Sequence, residues 1–269
     1  MFFTMNDSQY WYEIHGEGKP LVLLHGFTGS SRTWEAFLPE WRKRGSIITI
    51  DLPGHGQTRA KNKTMEACCQ DLVLLFNHLN LDKVRLLGYS MGGRTAIAFA
   101  MNYPEMVEAL LLESTSPGLA DLDERMQRKR SDDTLATKLE DNGLSWFVLY
   151  WENIRLFATQ QELPTVIQDR VRNERLNQTE EGLANSLRYM GTGVQPSFWQ
   201  SLEQFPRPVL LMAGALDQKY CQLMSEMQQL LPNSRMVIVP EAGHAIHVEK
   251  PDIFDRIVTG YLKEEYPTP

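Results

Sequence analysis

The strongest constraint in the chain is the run Gly88-Tyr89-Ser90-Met91-Gly92-Gly93-Arg94, which follows the apolar residues Val84, Leu86 and Leu87 and opens a helix-like stretch, Thr95 to Met101. A serine set between a strand and a helix, with small residues around it, reads as a nucleophile elbow. The turn is too sharp for bulky neighbours, and it lifts the hydroxyl clear of the sheet. Such a turn commits the chain to a buried strand feeding a helix, the repeating unit of parallel sheets covered on both faces. Arg94 lies one helical turn beyond Ser90 on the same face. An arginine inside an otherwise apolar helix is not tolerated as an unpaired buried charge, so it either meets an internal carboxylate or faces a cleft.

The remaining segments have the grammar that this unit demands. Tyr10 to Ile14 alternates as an edge hairpin strand would, with Gly16 to Pro20 as its turn. Leu21 to Leu24 and Ile47 to Ile50 are short apolar runs of the kind buried on both faces. The first ends at His25-Gly26-Phe27-Thr28-Gly29-Ser30 and the second at Asp51-Leu52-Pro53-Gly54-His55-Gly56. Met65 to Leu79 has helical apolar spacing, and Val107 to Leu112 reads as a further strand. From Gly118 to about Gln200 the pattern is helical and polar, with Trp146, Phe147, Trp151 and Phe157 scattered through it. Strands resume at Val209 to Ala213 and Met236 to Val239, and a helix over Pro251 to Leu262 closes the pattern. The expectation is an α/β fold: a mostly parallel central sheet flanked by helices, its core formed by residues 1–117 and 201–269, with residues 118–200 inserted between two strands as a helical cap.

Composition excludes several function classes. With 27 Lys and Arg against 34 Asp and Glu, the net charge is -7, the wrong sign for a general nucleic-acid binder. No run approaches the ~18 apolar residues that a membrane-spanning helix needs. The first ten residues have no basic flank of the kind a signal peptide carries. Three cysteines, two of them adjacent at Cys68-Cys69, fit neither a disulfide framework nor zinc-ligand spacing. These features lead us to expect a cytoplasmic protein without a metal or a membrane insertion, acting as a monomer or weak homo-oligomer.

Ligands of open parallel sheets bind outside the carboxyl ends of the strands, and the chemically suggestive residues fall there. Ser90 follows one strand, Asp217 follows Val209 to Leu216, and His244 follows Met236 to Val239 within Glu241-Ala242-Gly243-His244. This chain order, Ser, Asp, His, is that of the α/β-hydrolase triad. In that geometry His244 takes the Ser90 proton, while Asp217 fixes the imidazole tautomer and stabilises its charged form. The backbone N–H groups of Met91 and Phe27 would form an oxyanion hole. Glu113, at the end of the preceding strand, is the fallback acid. His25 and His55 read as supports of loop geometry, and His15, His78 and His247 carry no chemical argument. Between Gly118 and Gln200 there are eight arginines and two lysines, against nine and eight in the remainder. Arginine's planar fork suits bidentate carboxylate recognition, although acidic neighbours such as Asp121, Glu124, Asp132 and Asp133 offer local partners.

Four stretches together resemble one family. They are Gly88 to Arg94, Glu113-Ser114-Thr115-Ser116-Pro117-Gly118-Leu119, Arg125-Met126-Gln127-Arg128-Lys129-Arg130-Ser131-Asp132, and Gly193-Val194-Gln195-Pro196. The chain resembles, over its whole length, the 2-succinyl-6-hydroxy-2,4-cyclohexadiene-1-carboxylate synthases, menaquinone-pathway lyases of the α/β-hydrolase superfamily. The resemblance implies elimination of pyruvate from a 5-enolpyruvyl-6-hydroxy-2-succinylcyclohexene carboxylate, with no cofactor, acting on a small tricarboxylate substrate. Carried over by motif, Arg94, Arg128 and Arg175 are the carboxylate binders, and Tyr89 and Trp151 line the pocket. Arg125 and Arg130 compete with Arg128 for its assignment, and Arg172 with Arg175. Ser90 then acts as a general base rather than as an acylated nucleophile. The alternative is a serine hydrolase of small esters, or of carbon–carbon bonds in ring-cleavage products, using the same triad.

Overall fold

A computed structural model describes residues 1–5 and 8–265. The chain alternates strands and helices: β1 (Phe2–Met5), β2 (Ser8–His15), β3 (Pro20–Leu24), the one-turn helix α1 (Leu38–Trp41), β4 (Ser46–Ile50), α2 (Met65–His78), β5 (Val84–Tyr89), α3 (Met91–Asn102) and β6 (Val107–Glu113). Three helices follow before the next strand: α4 (Leu122–Glu152), α5 (Thr165–Leu176) and α6 (Glu180–Met190). Then come β7 (Val209–Gly214), α7 (Gln218–Leu230), β8 (Ser234–Val239), α8 (Ile246–Glu249) and α9 (Pro251–Glu265).

The eight strands form one sheet in the order β1-β2-β4-β3-β5-β6-β7-β8. β2 runs antiparallel to both β1 and β4, and every pairing from β4 through β3 to β8 is parallel. The chain leaves β3 towards β4 and then returns past it to β5, so the loops after β3 and β5 diverge and leave a crevice at their carboxyl ends.

Period-two alternation divides each parallel strand between two cores. Val22, Leu24, Ile48, Ile50, Leu86, Leu110 and Leu211 face α2, α3 and α7 through Leu72, Phe76, Phe99 and Met224. Leu21, Leu23, Ile47, Leu87, Leu111 and Leu210 face Trp34, Trp41, Phe254 and Val258. A third, smaller core joins α4 to α6 through Ala136, Leu139, Phe147, Leu183, Ala184 and Leu187. α4 is bent at Gly143, whose φ of 85° and ψ of 168° are not helical. Across the bend the Leu144 N–H donates to Glu180 on α6 at 2.9 Å.

One expectation fails here. The alternating segment at residues 10–14 lies in β2, but β2 is not the edge, and Gly16 to Pro20 does not close a hairpin with β3. β1 is the edge, and β4 lies between β2 and β3. Alternation fixes which face a side chain takes and says nothing about which strand is the neighbour.

Candidate active site

The local sequence explains the posture of Ser90. Its φ of 50° and ψ of -105° lie outside the helix that follows, a conformation costly for a residue with a Cβ. The surroundings enforce it. The Ser90 N–H donates to the Glu113 carbonyl at 2.9 Å, and the Ser90 carbonyl accepts from the Arg94 N–H at 2.9 Å and the Thr115 hydroxyl at 2.8 Å. Residue 92 must be glycine because a Cβ there would sit 2.0 Å from the Leu24 carbonyl oxygen. Helix α3 therefore packs against the end of β3, which brings Ser90 to the crevice.

Asp217 is the N-cap of α7, and His244 lies in the loop between β8 and α8. The His244 Nδ1 lies 2.6 Å from Asp217 Oδ2, and its Nε2 lies 3.1 Å from Ser90 Oγ. An ionised carboxylate only accepts, so the proton belongs on Nδ1 and the Nε2 lone pair faces the serine hydroxyl. The imidazole is 1 % exposed and is touched by the rings of Tyr89, Phe157 and Tyr220. Glu113, the fallback acid, is engaged elsewhere: its carboxylate accepts from both the backbone N–H and Nδ1 of His247, at distances of 2.9 to 3.1 Å. That buried pair lies beneath Tyr89, whose ring meets the His247 ring edge-on at 4.6 Å.

The Met91 N–H is one of the donors that the first turn of a helix leaves unpaired. The Phe27 N–H lies in the turn after β3, and two buried histidines hold that turn. His25 accepts from the Leu52 N–H at 2.9 Å through Nε2, and His55 accepts from the Thr28 N–H at 3.2 Å in the same way. Each donates its other ring nitrogen to a carbonyl, of Gly26 and Pro53 respectively. Burial pushes both imidazoles below the usual histidine range, so both are neutral.

The arginines form two groups. Arg94 donates through Nη1 to the Met190 carbonyl at 2.9 Å and to Gln195 Oε1 at 2.7 Å. Burial, reinforced by the nearby Arg128 charge, lowers its guanidinium to about 10, which leaves it protonated at neutral pH. Arg128, on α4, is half-exposed and bonded to Asp132 at 2.8 Å. Asp132 is itself buried, and desolvation raises its carboxyl despite that partner. The second group centres on Arg175 of α5, which is 5 % exposed. It donates to Gln160 Oε1 at 3.2 Å and lies 4.8 Å above the Phe157 ring, and burial lowers its guanidinium. Its rival Arg172 faces outward and donates two hydrogen bonds, from Nε and Nη2, to the two carboxylate oxygens of Glu152, each at 2.9 Å. Trp151 packs against Phe27 and Phe157, and its Nε1 is buried without an acceptor. Burial raises the hydroxyls of Tyr220 and Tyr89, the two tyrosines beside His244, above the usual tyrosine range, against the opposing charges of Arg94 and Arg128 for the first and of Arg175 for the second.

A cavity of about 680 Å³ opens between α5 and the turn after β3, with Phe27, Tyr89, Phe157, Glu174, Arg175 and His247 among its walls. Ser90, His244, Arg94 and Arg128 are not part of its lining, so it meets the site at Tyr89, Phe27 and Arg175. Among the described residues no group of three or more His, Cys, Asp or Glu side chains could hold a metal ion.

The model of the alpha/beta hydrolase fold matches residues 19–251. A Bacillus subtilis protein provisionally named 2-succinyl-6-hydroxy-2,4-cyclohexadiene-1-carboxylate synthase is 48 % identical over 93 % of this chain and 94 % of its own. The chain belongs to that family of α/β-hydrolases. A synthase of the same name from Serratia proteamaculans is 30 % identical over 90 % of this chain and 92 % of its own. The solved structure of MenH from S. aureus superposes with a TM-score of 0.91 at 37 % identity, covering 94 % of this chain and 98 % of that one. No helix among the described residues is long and apolar enough to cross a membrane.

Sequence reasoning about this synthase-family chain missed Tyr220, Gln195, Glu174 and His247. Tyr220, three residues after Asp217, carried a usable signal, because the first turn of a helix that starts at a strand's carboxyl end lies beside the crevice. Gln195 lies within a stretch that the resemblance had already singled out. Glu174 and His247 carried no signal, since their partners are 144 and 134 residues away in the chain.

Proposed function

We propose that the protein eliminates pyruvate from 2-succinyl-5-enolpyruvyl-6-hydroxy-3-cyclohexene-1-carboxylate, giving 2-succinyl-6-hydroxy-2,4-cyclohexadiene-1-carboxylate in menaquinone biosynthesis. The observation that carries this reading is the setting of Arg94. Its charge lies one helical turn from Ser90, and its hydrogen bonds go to two neutral oxygens through Nη1, leaving the Nε and Nη2 donors for an anionic ligand. Arg128 and Arg175 take the other two substrate carboxylates, Tyr89 and Trp151 line the pocket, and residues 118–200 act as its cap. The setting we assign is the cytoplasm, with a monomer or weak homo-oligomer working without a cofactor.

Ser90, Asp217 and His244 supply proton transfer. The Ser90 hydroxyl gives its proton to His244 Nε2 as its oxygen takes the ring proton next to the succinyl carbonyl. The electron pair moves into that carbonyl, and the N–H groups of Phe27 and Met91 hold the enolate oxygen. The pair then returns through the ring double bond and breaks the carbon–oxygen bond to the enolpyruvyl group. The departing enolate takes up one proton, which balances the one removed, and ketonises to pyruvate. Asp217 stabilises the imidazolium between the two transfers.

The test is to supply the enolpyruvyl intermediate and follow pyruvate and the conjugated diene together. Equimolar appearance is expected, and absence of both refutes the reading. The hydrolase reading is favoured by the Ser90–His244 distance of 3.1 Å, which also suits a nucleophile. A pre-steady-state burst with a p-nitrophenyl ester would support it, and its absence would count against it.

A further inference from the structure

Glu174 precedes Arg175 on α5, and its side chain leaves the helix to reach the loop after β3. A single oxygen, Oε1, accepts three hydrogen bonds: from the Ser30 N–H at 2.9 Å, the Ser30 hydroxyl at 3.0 Å and the Thr33 hydroxyl at 2.7 Å. One turn later, Gln178 repeats the connection. Its Nε2 donates to the Gly29 carbonyl at 3.1 Å, and its Oε1 accepts from the Gly56 N–H at 2.9 Å. The segment from Gly26 to Thr33 is thus held to α5 on one side, and to the loop after β4 on the other by His25 and His55. It is also the segment that presents the Phe27 N–H.

We propose that Glu174 is a positioning residue that sets two parts of the site at once, the Arg175 guanidinium and the Phe27 N–H. This rests on reading the first as a carboxylate binder and the second as an oxyanion donor. An acceptor carrying full charge suits the task, because charge-assisted hydrogen bonds are about twice as strong as neutral ones. Three donors on one oxygen also fix its position more narrowly than one would. With α5 seated, Arg175 is held against the cavity wall and Phe27 is held in the turn. When α5 shifts, both move. Capture of a carboxylate at Arg175 and stabilisation of the enolate at Phe27 therefore share one mechanical link, Glu174.

The experiment compares Glu174→Ala with Glu174→Gln, which keeps an accepting oxygen and loses the charge. Hydrogen–deuterium exchange is read on peptides covering residues 26–34 and 165–178, and kcat and KM are measured separately. For Glu174→Ala we expect faster exchange in both segments and a fall in kcat/KM of about 10-fold or more. That fall should divide between a raised KM, from Arg175, and a lowered kcat, from Phe27. Glu174→Gln should lie between wild type and Ala. Hydrolysis of a p-nitrophenyl ester, which has no carboxylate to capture, should lose only its kcat component. Unchanged exchange in either segment overturns the proposal, as does a lower melting temperature with kcat and KM intact. If Glu174→Ala does not fold, Thr33→Val removes one of the three donors and is read in the same way, with smaller effects in the same direction. Failure of the wild type to release pyruvate would refute the functional reading alone, since exchange tests the link without any substrate.

Discussion

Replacing Arg94 by alanine separates the bonds that its side chain makes within the protein from the carboxylate binding proposed for it. Toward the protein, Arg94 donates to the Met190 carbonyl and to Gln195 Oε1. Each bond from this charged donor contributes roughly 1.5–3 kcal/mol net, partly offset by the desolvation that a buried charge no longer incurs, so the cost to stability should be about 2–4 kcal/mol, and the fold survives. Toward the substrate the loss is larger, because truncating one partner of a buried charged hydrogen bond costs about 2–5 kcal/mol. At ~1.4 kcal/mol per factor of ten this is about 30-fold to several thousand-fold in kcat/KM. Arg128 narrows the range. Its charge now opposes that of Arg94, and in the variant it is freer to attract the orphaned carboxylate, so a loss of ~100-fold to 1000-fold is expected. Arg94→Lys should recover only part of this, since an ammonium cannot reproduce a planar fork. Pyruvate release followed continuously gives kcat and KM, and thermal melting gives the stability change. A kcat/KM for Arg94→Ala within about threefold of wild type, in a folded protein, would refute the argument.

Further expectations follow from the same geometry. Ser90→Ala removes the proposed base and should lower kcat by about 10²- to 10⁴-fold, with thermal stability little changed because alanine keeps the Cβ and so the backbone strain at φ 50°; retention of pyruvate release would assign the base elsewhere. Asp217→Asn leaves the 2.6 Å contact without an obligate acceptor and permits the wrong imidazole tautomer, so a kcat loss of similar size, near 10⁴, is expected and is checked by single-turnover kinetics. His25 and His55 have folded pKa values depressed by burial, so below the unfolded value of about 6.5 the unfolded chain binds protons that the folded one does not. Stability should thus fall as pH drops from 6.5 towards 5, by up to ~1.4 kcal/mol per unit for each histidine; a denaturation midpoint constant from pH 7.5 to 5 would contradict this. Gly92→Ala sets a methyl group 2.0 Å from the Leu24 carbonyl oxygen, backbone against backbone, and should destabilise by ~3 kcal/mol or more in urea unfolding.

The sequence was informative wherever local chemistry and position coincide. Ser90, Asp217 and His244 could be picked out because each follows a short apolar run, and the ends of parallel strands lie on one edge of the sheet. The strands themselves were legible because burial on both faces leaves an uninterrupted apolar run, as in Leu21 to Leu24 and Leu110 to Leu112. The placement of β1 and β2 was not, since pairing partners are chosen by tertiary packing and leave no trace in a single strand's alternation. Arg172 and Arg175 lie one helical turn apart and differ only in that Glu152 waits for the first and Gln160 for the second. Residue type could not separate them. Nor could it reveal that Arg94 would be held by a carbonyl and an amide, the detail that distinguishes a charge reserved for a ligand from one spent on an internal ion pair.

The small core between α4 and α6 has a further consequence. Phe147, Leu139 and Leu183 bury one another apart from the two cores of the sheet, so the insert between β6 and β7 brings much of its own cohesion. The separation is partial, since Met190 and Phe198 of the insert join the core on one face of the sheet. Recombination between relatives could replace the insert wholesale and redirect the chemistry without disturbing Ser90, Asp217 or His244, provided that the incoming piece offers acceptors for Arg94 where Met190 and Gln195 now stand and a carboxylate for Ser30 where Glu174 now reaches. A scaffold that serves many reactions needs this separation: one part conserved for proton transfer, another free to be traded, and a few polar sockets where the two engage.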